Sequence, residues 1–277
     1  MSKTEEVAKR SFRASDVPGT LLNMALLNLG NPNAVLRVEA YNLLAALCSS
    51  FNLSVQTSLW ETSGLCIPKN TNNFIVSLSK KLAINNSNMT LEFLMEALHG
   101  IEKIKANLPG KQLSLNYITH WLPNLRLFCV PSNKPDYATN LEKAKEIIHL
   151  LTEFTIRETS VPLFLSAFSL LTNTHHYFHT HKMTGPAIQS QVWEVIGGVP
   201  EILDLVIDCL LERANDKKTG GISSTALSVI GDIFVSMASQ NPRLVSGKII
   251  AGLMKVSAVV YTGFVVGGGG DGRGGGP

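Results

Sequence analysis

The sequence predicts an all-α protein. Apolar residues recur at helical three- and four-residue spacing through successive stretches of about 12–20 residues. Clusters of Asn, Pro and Gly separate those stretches, as helix stops and starts require. No recurrent period-two alternation supports a sheet. Successive helix pairs of this kind fit an α-solenoid of HEAT or armadillo type, although no strict repeat motif accompanies the pairing.

Residues 1–14 read as a polar lead-in. In the next segment Ser15 or Asp16 serves as a helix cap and Pro18 suits the opening turn. Leu21, Leu22, Ala25, Leu26 and Leu29 then form an apolar face. Gly30-Asn31-Pro32-Asn33 stops that helix and starts a second, extending to Phe51 with Val35, Val38, Tyr41, Leu44, Ala45 and Leu47 expected inward. Residues 52–71 are irregular, with Gly64 and Pro68 as breakers. Thr71 or Asn72 caps a helix to about Ile84, with Ile75, Leu78 and Leu82 inward.

Asn85–Asn88 form a turn, and Thr90 begins a helix through Leu91, Leu94, Met95, Leu98 and Ile101. Leu108-Pro109-Gly110 is expected to break it, with short helical pieces around Tyr117, Trp121, Leu125 and Phe128 to follow. A Pro131–Pro135 loop precedes a long helix, Asp136–Thr155, whose face is Leu141, Ile147, Ile148 and Leu151. Further helices are expected at Ala187–Ile196, Pro200–Glu212, Ser224–Ser239 and Pro242–Val256. Four regions result: solenoid helices over 1–160, an atypical insertion over 161–183, solenoid helices again over 184–256, and a non-conforming tail over 257–277. The insertion is apolar without amphipathic spacing and then rich in Thr and His, so it is read as a loop or as intron-derived sequence. The Gly-rich end of the tail cannot repay its ordering entropy and is expected to be disordered.

Composition narrows the function classes. The chain has 24 basic and 21 acidic residues, a balance with no basic block, so a nucleic-acid surface is not expected. The start lacks an apolar signal segment and the four cysteines form no C-x-x-C pair. A reduced, cytoplasmic protein follows as the expectation, with Cys48, Cys66, Cys129 and Cys209 as small core residues. The apolar run Val256–Val266 falls short of the roughly 20 residues a membrane span needs.

No catalytic constellation emerges. His175, His176, His179 and His181 form the one metal-like cluster, but no nearby carboxylate or cysteine completes a ligand set. Gly267, Gly269 and Gly272 spell G-x-G-x-x-G without the following helix and acidic residue that dinucleotide binding needs. There is no G-x-S-x-G elbow and no phosphate-binding G-x-x-x-x-G-K-[ST] loop. Glu142, Lys145 and Glu146 read as a solvated helix face, and Trp60, Trp121 and Trp193 as core anchors. No catalytic, cofactor-binding or metal-ligating residue is assigned, and no cofactor is expected.

Residues 10–29, RSFRASDVPGTLLNMALLNL, closely resemble the helical region of neurofibromin-type Ras GTPase-activating proteins that follows their catalytic and lipid-binding modules. The similarity continues through Tyr41–Leu44, Glu61–Pro68, Phe74–Ser77, Thr90–Leu94, Ile188–Trp193 and Leu244–Lys248, covering roughly residues 8–160 and 183–256. The resemblance implies a non-catalytic segment of a helical arm that serves architecture and homodimer assembly in negative regulation of Ras signalling. Its partners would be the rest of the parent protein and a second copy, with Ras engaged through a catalytic module outside this chain. Peripheral membrane association would come through the parent protein. Asn124-Leu125-Arg126 is the nearest string to the family's Phe-Leu-Arg signature but lacks its context, so Arg126 carries no functional role from the resemblance. The alternative is a free-standing helical-repeat adaptor that binds a protein or peptide in its concave groove.

Overall fold

The computed structural model describes residues 17–53, 55, 71–103, 108–132, 135–172, 185–215 and 224–266. Among them the chain is all-α: eleven α-helices, two short 3₁₀ turns and no strand. The helices are α1 (Val17–Asn28), α2 (Ala34–Ser50), α3 (Thr71–Asn85), α4 (Thr90–Lys103), α5 (Leu108–Thr119) and α6 (Arg126–Cys129). They continue as α7 (Tyr137–Thr172), α8 (Gly185–Gly197), α9 (Pro200–Ala214), α10 (Ser224–Ala238) and α11 (Pro242–Val266).

Local chemistry sets many of these limits. Asn33 caps α2, its side-chain oxygen accepting from Val35 N at 2.9 Å. Pro200 opens α9 where no helical N–H is needed, following a Val199 cap that has no side-chain acceptor to offer. Pro109 and Gly110 behave differently from expectation. They lie in the first turn of α5 rather than in a break, because a proline early in a helix sacrifices an N–H that has no intrahelical partner.

Two helices outrun their expected ends. α7 continues from Thr155 to Thr172, so residues 161–172 of the expected atypical insertion are helical turns and not a loop. Pro162 sits within that helix, where it removes the N–H that would bond the Glu158 carbonyl. The stretch has few polar residues to compete with helical hydrogen bonds, which explains continuation without amphipathic spacing. α11 likewise runs past Val256 to Val266. The four-histidine cluster, the Gly-rich end from 267, Trp60, Cys66 and the Ser15/Asp16 cap lie outside the described residues.

The inward faces follow the apolar spacing in most helices. Ile75, Leu78 and Leu82 of α3, Leu91, Leu94, Leu98 and Ile101 of α4, and Ile147, Ile148 and Leu151 of α7 are buried in one continuous core. α2 departs from its expected register. Val35 and Val38 are 66% and 55% exposed, and the buried row is Ala40, Leu44, Leu47 and Cys48. Both rows carry apolar residues at helical spacing, and small Ala40 permits the close approach to α1 that larger valines would oppose.

Neighbouring helices stack in the same direction. Gly19 of α1 lies against Glu92 and Phe93 of α4, and four residues on Asn23 lies beside Gly100 and the Glu96 carbonyl. Lys143 near the start of α7 pairs with Glu92 at 3.2 Å, and Arg157 further along pairs with Glu102 at 3.2 Å. α11 repeats this against α9: Lys248 meets Asp204, and Gly252 meets Ile207 and Leu211. The main helix–helix contacts join elements no more than three helices apart, giving a progression α1, α4, α7 on one side and α3, α5, α8, α10 on the other.

Buried polar groups tie the layers together. The Tyr117 hydroxyl donates to Asn23 Oδ1 at 2.7 Å, and Asn23 Nδ2 donates to the Glu96 carbonyl. Trp121 Nε1 donates to Ser79 Oγ at 2.9 Å, and that hydroxyl donates to the Tyr117 carbonyl at 3.0 Å. The Phe93 ring packs 4.5 Å from Trp121 and 6.0 Å from Tyr117, centroid to centroid. Burial accordingly pushes the Tyr117 phenol far above its ordinary pKa, so it acts as a neutral donor. Further along, Trp193 Nε1 donates to Thr155 Oγ1 at 3.2 Å, fastening α8 to α7. Trp121 and Trp193 are thus the core anchors their residue type implied.

Candidate interaction groove

An open groove of about 550 Å³ lies where the end of α5 and the turn before α6 face α8, α9 and the end of α10. One wall carries Thr119, Pro123 and Arg126, and the facing wall carries Gln191, Glu194 and Glu201. Each wall has a local cause. Pro123 holds the 3₁₀ turn Leu122–Leu125, whose Leu122 and Leu125 point into the core and leave Arg126 on the rim. Asn124 locks that turn down, its Nδ2 donating to the Ala83 carbonyl at 2.8 Å and to Thr90 Oγ1 at 3.2 Å.

The floor turns on glycine. α8 ends at Gly197, and Gly198 N bonds back to the Glu194 and Val195 carbonyls at 3.1 and 3.2 Å. A Cβ at Gly197 would fall 2.6 Å from Met237 Cα and closer still to the Met237 carbonyl oxygen, so the α8 and α10 backbones touch there. Glu194 accepts from Ser190 Oγ at 2.9 Å, which orients its carboxylate along α8. Arg126 is exposed, and its guanidinium has no hydrogen-bond or ion-pair partner among the described residues. The groove therefore offers one open cation, two carboxylates and amide side chains above a partly apolar floor. Such a lining suits contact and hydrogen bonding.

His120 follows the groove wall. Burial, with Lys80 nearby, holds its imidazole below the ordinary value of 6.5. Because the folded state binds the proton less readily than the unfolded chain, this contribution is fully present above about pH 6.5 and is lost as pH falls through the depressed folded value. Urea unfolding midpoints are expected to fall on acidification from about pH 7 to about pH 5, and His120→Asn should flatten that part of the profile. Equal slopes for the two proteins would contradict this origin.

The cysteines behave as expected of small apolar residues where they are described. Cys48 and Cys129 are buried, Cys209 is half-buried, and burial pushes all three thiols up to about 11. No group of three or more potential metal-ligating side chains occurs among the described residues. The groove itself was missed in the sequence, because its walls come from segments about 70 residues apart and no spacing rule joins Arg126 to Gln191 and Glu194.

Fold and groove together define an all-helical protein with an open cleft between stacked helices, and its similarities lie among large inhibitory regulators. The chain is 25% identical over 142 residues to Inhibitory regulator protein IRA2 of Saccharomyces cerevisiae, taking in 50% of this chain and 4% of that protein. It is 27% identical over 146 residues to Inhibitory regulator protein IRA1 of the same yeast, taking in 52% of this chain and again 4% of the relative. The chain therefore spans only a small fraction of the length of these relatives. No protein-family model matches it.

Proposed function

We propose that this chain is a non-catalytic segment of the helical arm of a neurofibromin-like Ras regulator, acting as a scaffold and self-association surface in negative regulation of Ras. The observation that carries the reading is the stacking of co-directional helices α1, α4 and α7, repeated by α9 and α11. Stacked helix pairs of this kind extend an armadillo- or HEAT-like arm by nearest-neighbour contact. The distant similarity to two yeast inhibitory regulators supports the same direction. Ras regulation by such an arm requires a catalytic module elsewhere in the parent polypeptide, because efficient hydrolysis needs an arginine positioned against the nucleotide phosphates. Arg126 stands at the rim of a groove with Glu194 and Glu201, whose carboxylates repel phosphate.

Two measurements test this. Added to GTP-loaded Ras, the chain alone should leave the hydrolysis rate unchanged, and stimulation of even tenfold would overturn the non-catalytic reading. Replacing the matched segment of the yeast relative IRA2 by this chain should preserve inhibitory regulation that deletion of the segment abolishes. A chimera as defective as the deletion would sink the scaffold reading. The adaptor alternative rests on the open groove, and it predicts that Arg126→Glu reverses the charge preference of a bound peptide without altering regulation by the chimera.

A further inference from the structure

The walls of the groove are fixed before any ligand arrives. On one side the two Asn124 bonds pin the 3₁₀ turn that leads into Arg126. On the other, Ser190 Oγ donates to Glu194 and lies 3.3 Å from Ser236 Oγ of α10, and the Gly197–Met237 contact sets the floor between them. The groove runs along an edge of the stack, at the ends of α5, α8 and α10. A further helix pair would pack beyond α10 and α11 and leave this edge open.

Charge on the two walls is opposite and unpaired. Arg126 faces Glu194 and Glu201 across the groove, yet no ion pair joins them among the described residues. Arg126 and Glu201 are exposed and Glu194 is half-buried. Gln191 and Gln240 line the same groove and are exposed. Their amides both donate and accept, as the alternating N–H and C=O groups of an extended main chain require. A ligand that satisfies this lining has a carboxylate for Arg126, a cation for the glutamates and peptide backbone between them. A phosphate would meet Arg126 only beside two carboxylates that repel it, and a purely basic ligand would meet Arg126 itself. The volume of about 550 Å³ is that of a small-ligand cleft, which takes a short extended segment and not a folded surface.

We propose that this groove captures a short extended peptide of mixed charge, its acidic side chain on Arg126 and its Lys or Arg against Glu194 and Glu201. Peptide capture rests on the adaptor reading of the groove and is independent of the scaffold role. Fluorescently labelled peptides of about eight residues, roughly 26 Å when extended, are titrated with the full chain and read by polarisation. The panel places one acidic and one basic residue at each short spacing and in both orders on a Ser/Ala background, beside acid-only, base-only and uncharged controls. At least one mixed peptide is expected to bind about fivefold tighter than every control and to lose that margin as salt is raised. Arg126→Glu should weaken that peptide at least about fivefold, and exchanging the peptide's acid for Lys should restore binding to the variant, which a merely damaged groove would not do. Glu201→Gln should weaken the same peptide while leaving the acid-only control unchanged. Preference for acid-only or base-only peptides, or a mixed preference that survives Arg126→Glu or is not rescued by the exchange, overturns the proposed ligand and leaves the adaptor reading standing. Absence of binding across the whole panel overturns both.

Discussion

Gly197→Ala is expected to destabilise the protein by about 3 kcal/mol, although alanine is ordinarily the better helix residue. The new methyl would fall 2.6 Å from Met237 Cα and 2.7 Å from its carbonyl carbon, and neither atom belongs to a side chain that can rotate away. Relief requires α8 and α10 to separate, and Ser190–Ser236 and the groove floor would move with them. For a chain of this size the melting temperature should drop by about 6–12 °C. The adjacent residue supplies the control. A Cβ at Gly198 meets the Val195 oxygen at 3.4 Å, ordinary contact, so Gly198→Ala should change little. Gly231, inside α10 with nothing within 4 Å of its would-be Cβ, should gain about 0.5–1 kcal/mol as alanine. The order Gly231→Ala, Gly198→Ala, Gly197→Ala in falling stability is thus a test of where the backbones touch. Equal melts for the first and third would show that α8 and α10 do not pack this closely.

That contact also marks what the sequence could not show. Helix positions were legible because caps and apolar spacing act within a few residues. Asn33 caps α2, Thr90 starts α4 and Pro200 starts α9 as their chemistry dictates. The failures have physical causes. In α2 two apolar rows compete, and which one is buried depends on where α1 lies, so Val35 and Val38 face outward. In α7 a run without amphipathic spacing continues as helix because periodicity reports on partners and not on backbone hydrogen bonding. Pro109 shows that a proline stops one helix or starts the next according to its distance from the preceding end. The groove depends on tertiary apposition alone, and the glycine that forms its floor looks in sequence like any helix terminator.

Helix stacking and buried polar bonding place different demands on the core. Apolar burial alone tolerates sliding between neighbouring helices, because any hydrophobic partner of the right volume suffices. The Asn23–Tyr117 and Ser79–Trp121 bonds do not, since a shift of one helical step strands a buried donor. Co-directional stacking of α1 on α4 is therefore held in register by the Asn23–Glu96 carbonyl bond between them and by bonds that cross from α1 and α3 to α5 and the turn beyond it.

Trp121→Ala should consequently cost about 3–5 kcal/mol, the range for emptying a large aromatic site in a close-packed core. Trp121 is fully buried, stacks on Phe93 at 4.5 Å and donates to Ser79. It also stands between α5 and the 3₁₀ turn that carries Pro123 and leads into Arg126, so its loss should loosen that groove wall as well as the core. Two further variants separate packing from bonding. Trp121→Phe keeps most of the ring but loses the Nε1 donor, and Ser79 Oγ still donates to the Tyr117 carbonyl, so about 1–2 kcal/mol is expected. Ser79→Ala strands the buried indole N–H, and about 1–3 kcal/mol is expected. Combining Trp121→Phe with Ser79→Ala removes donor and acceptor together, so the double variant should be about 1 kcal/mol more stable than the sum of the single losses. Additive losses across this cycle would mean that the indole–hydroxyl bond contributes nothing and that Trp121 is held against α3 by packing alone.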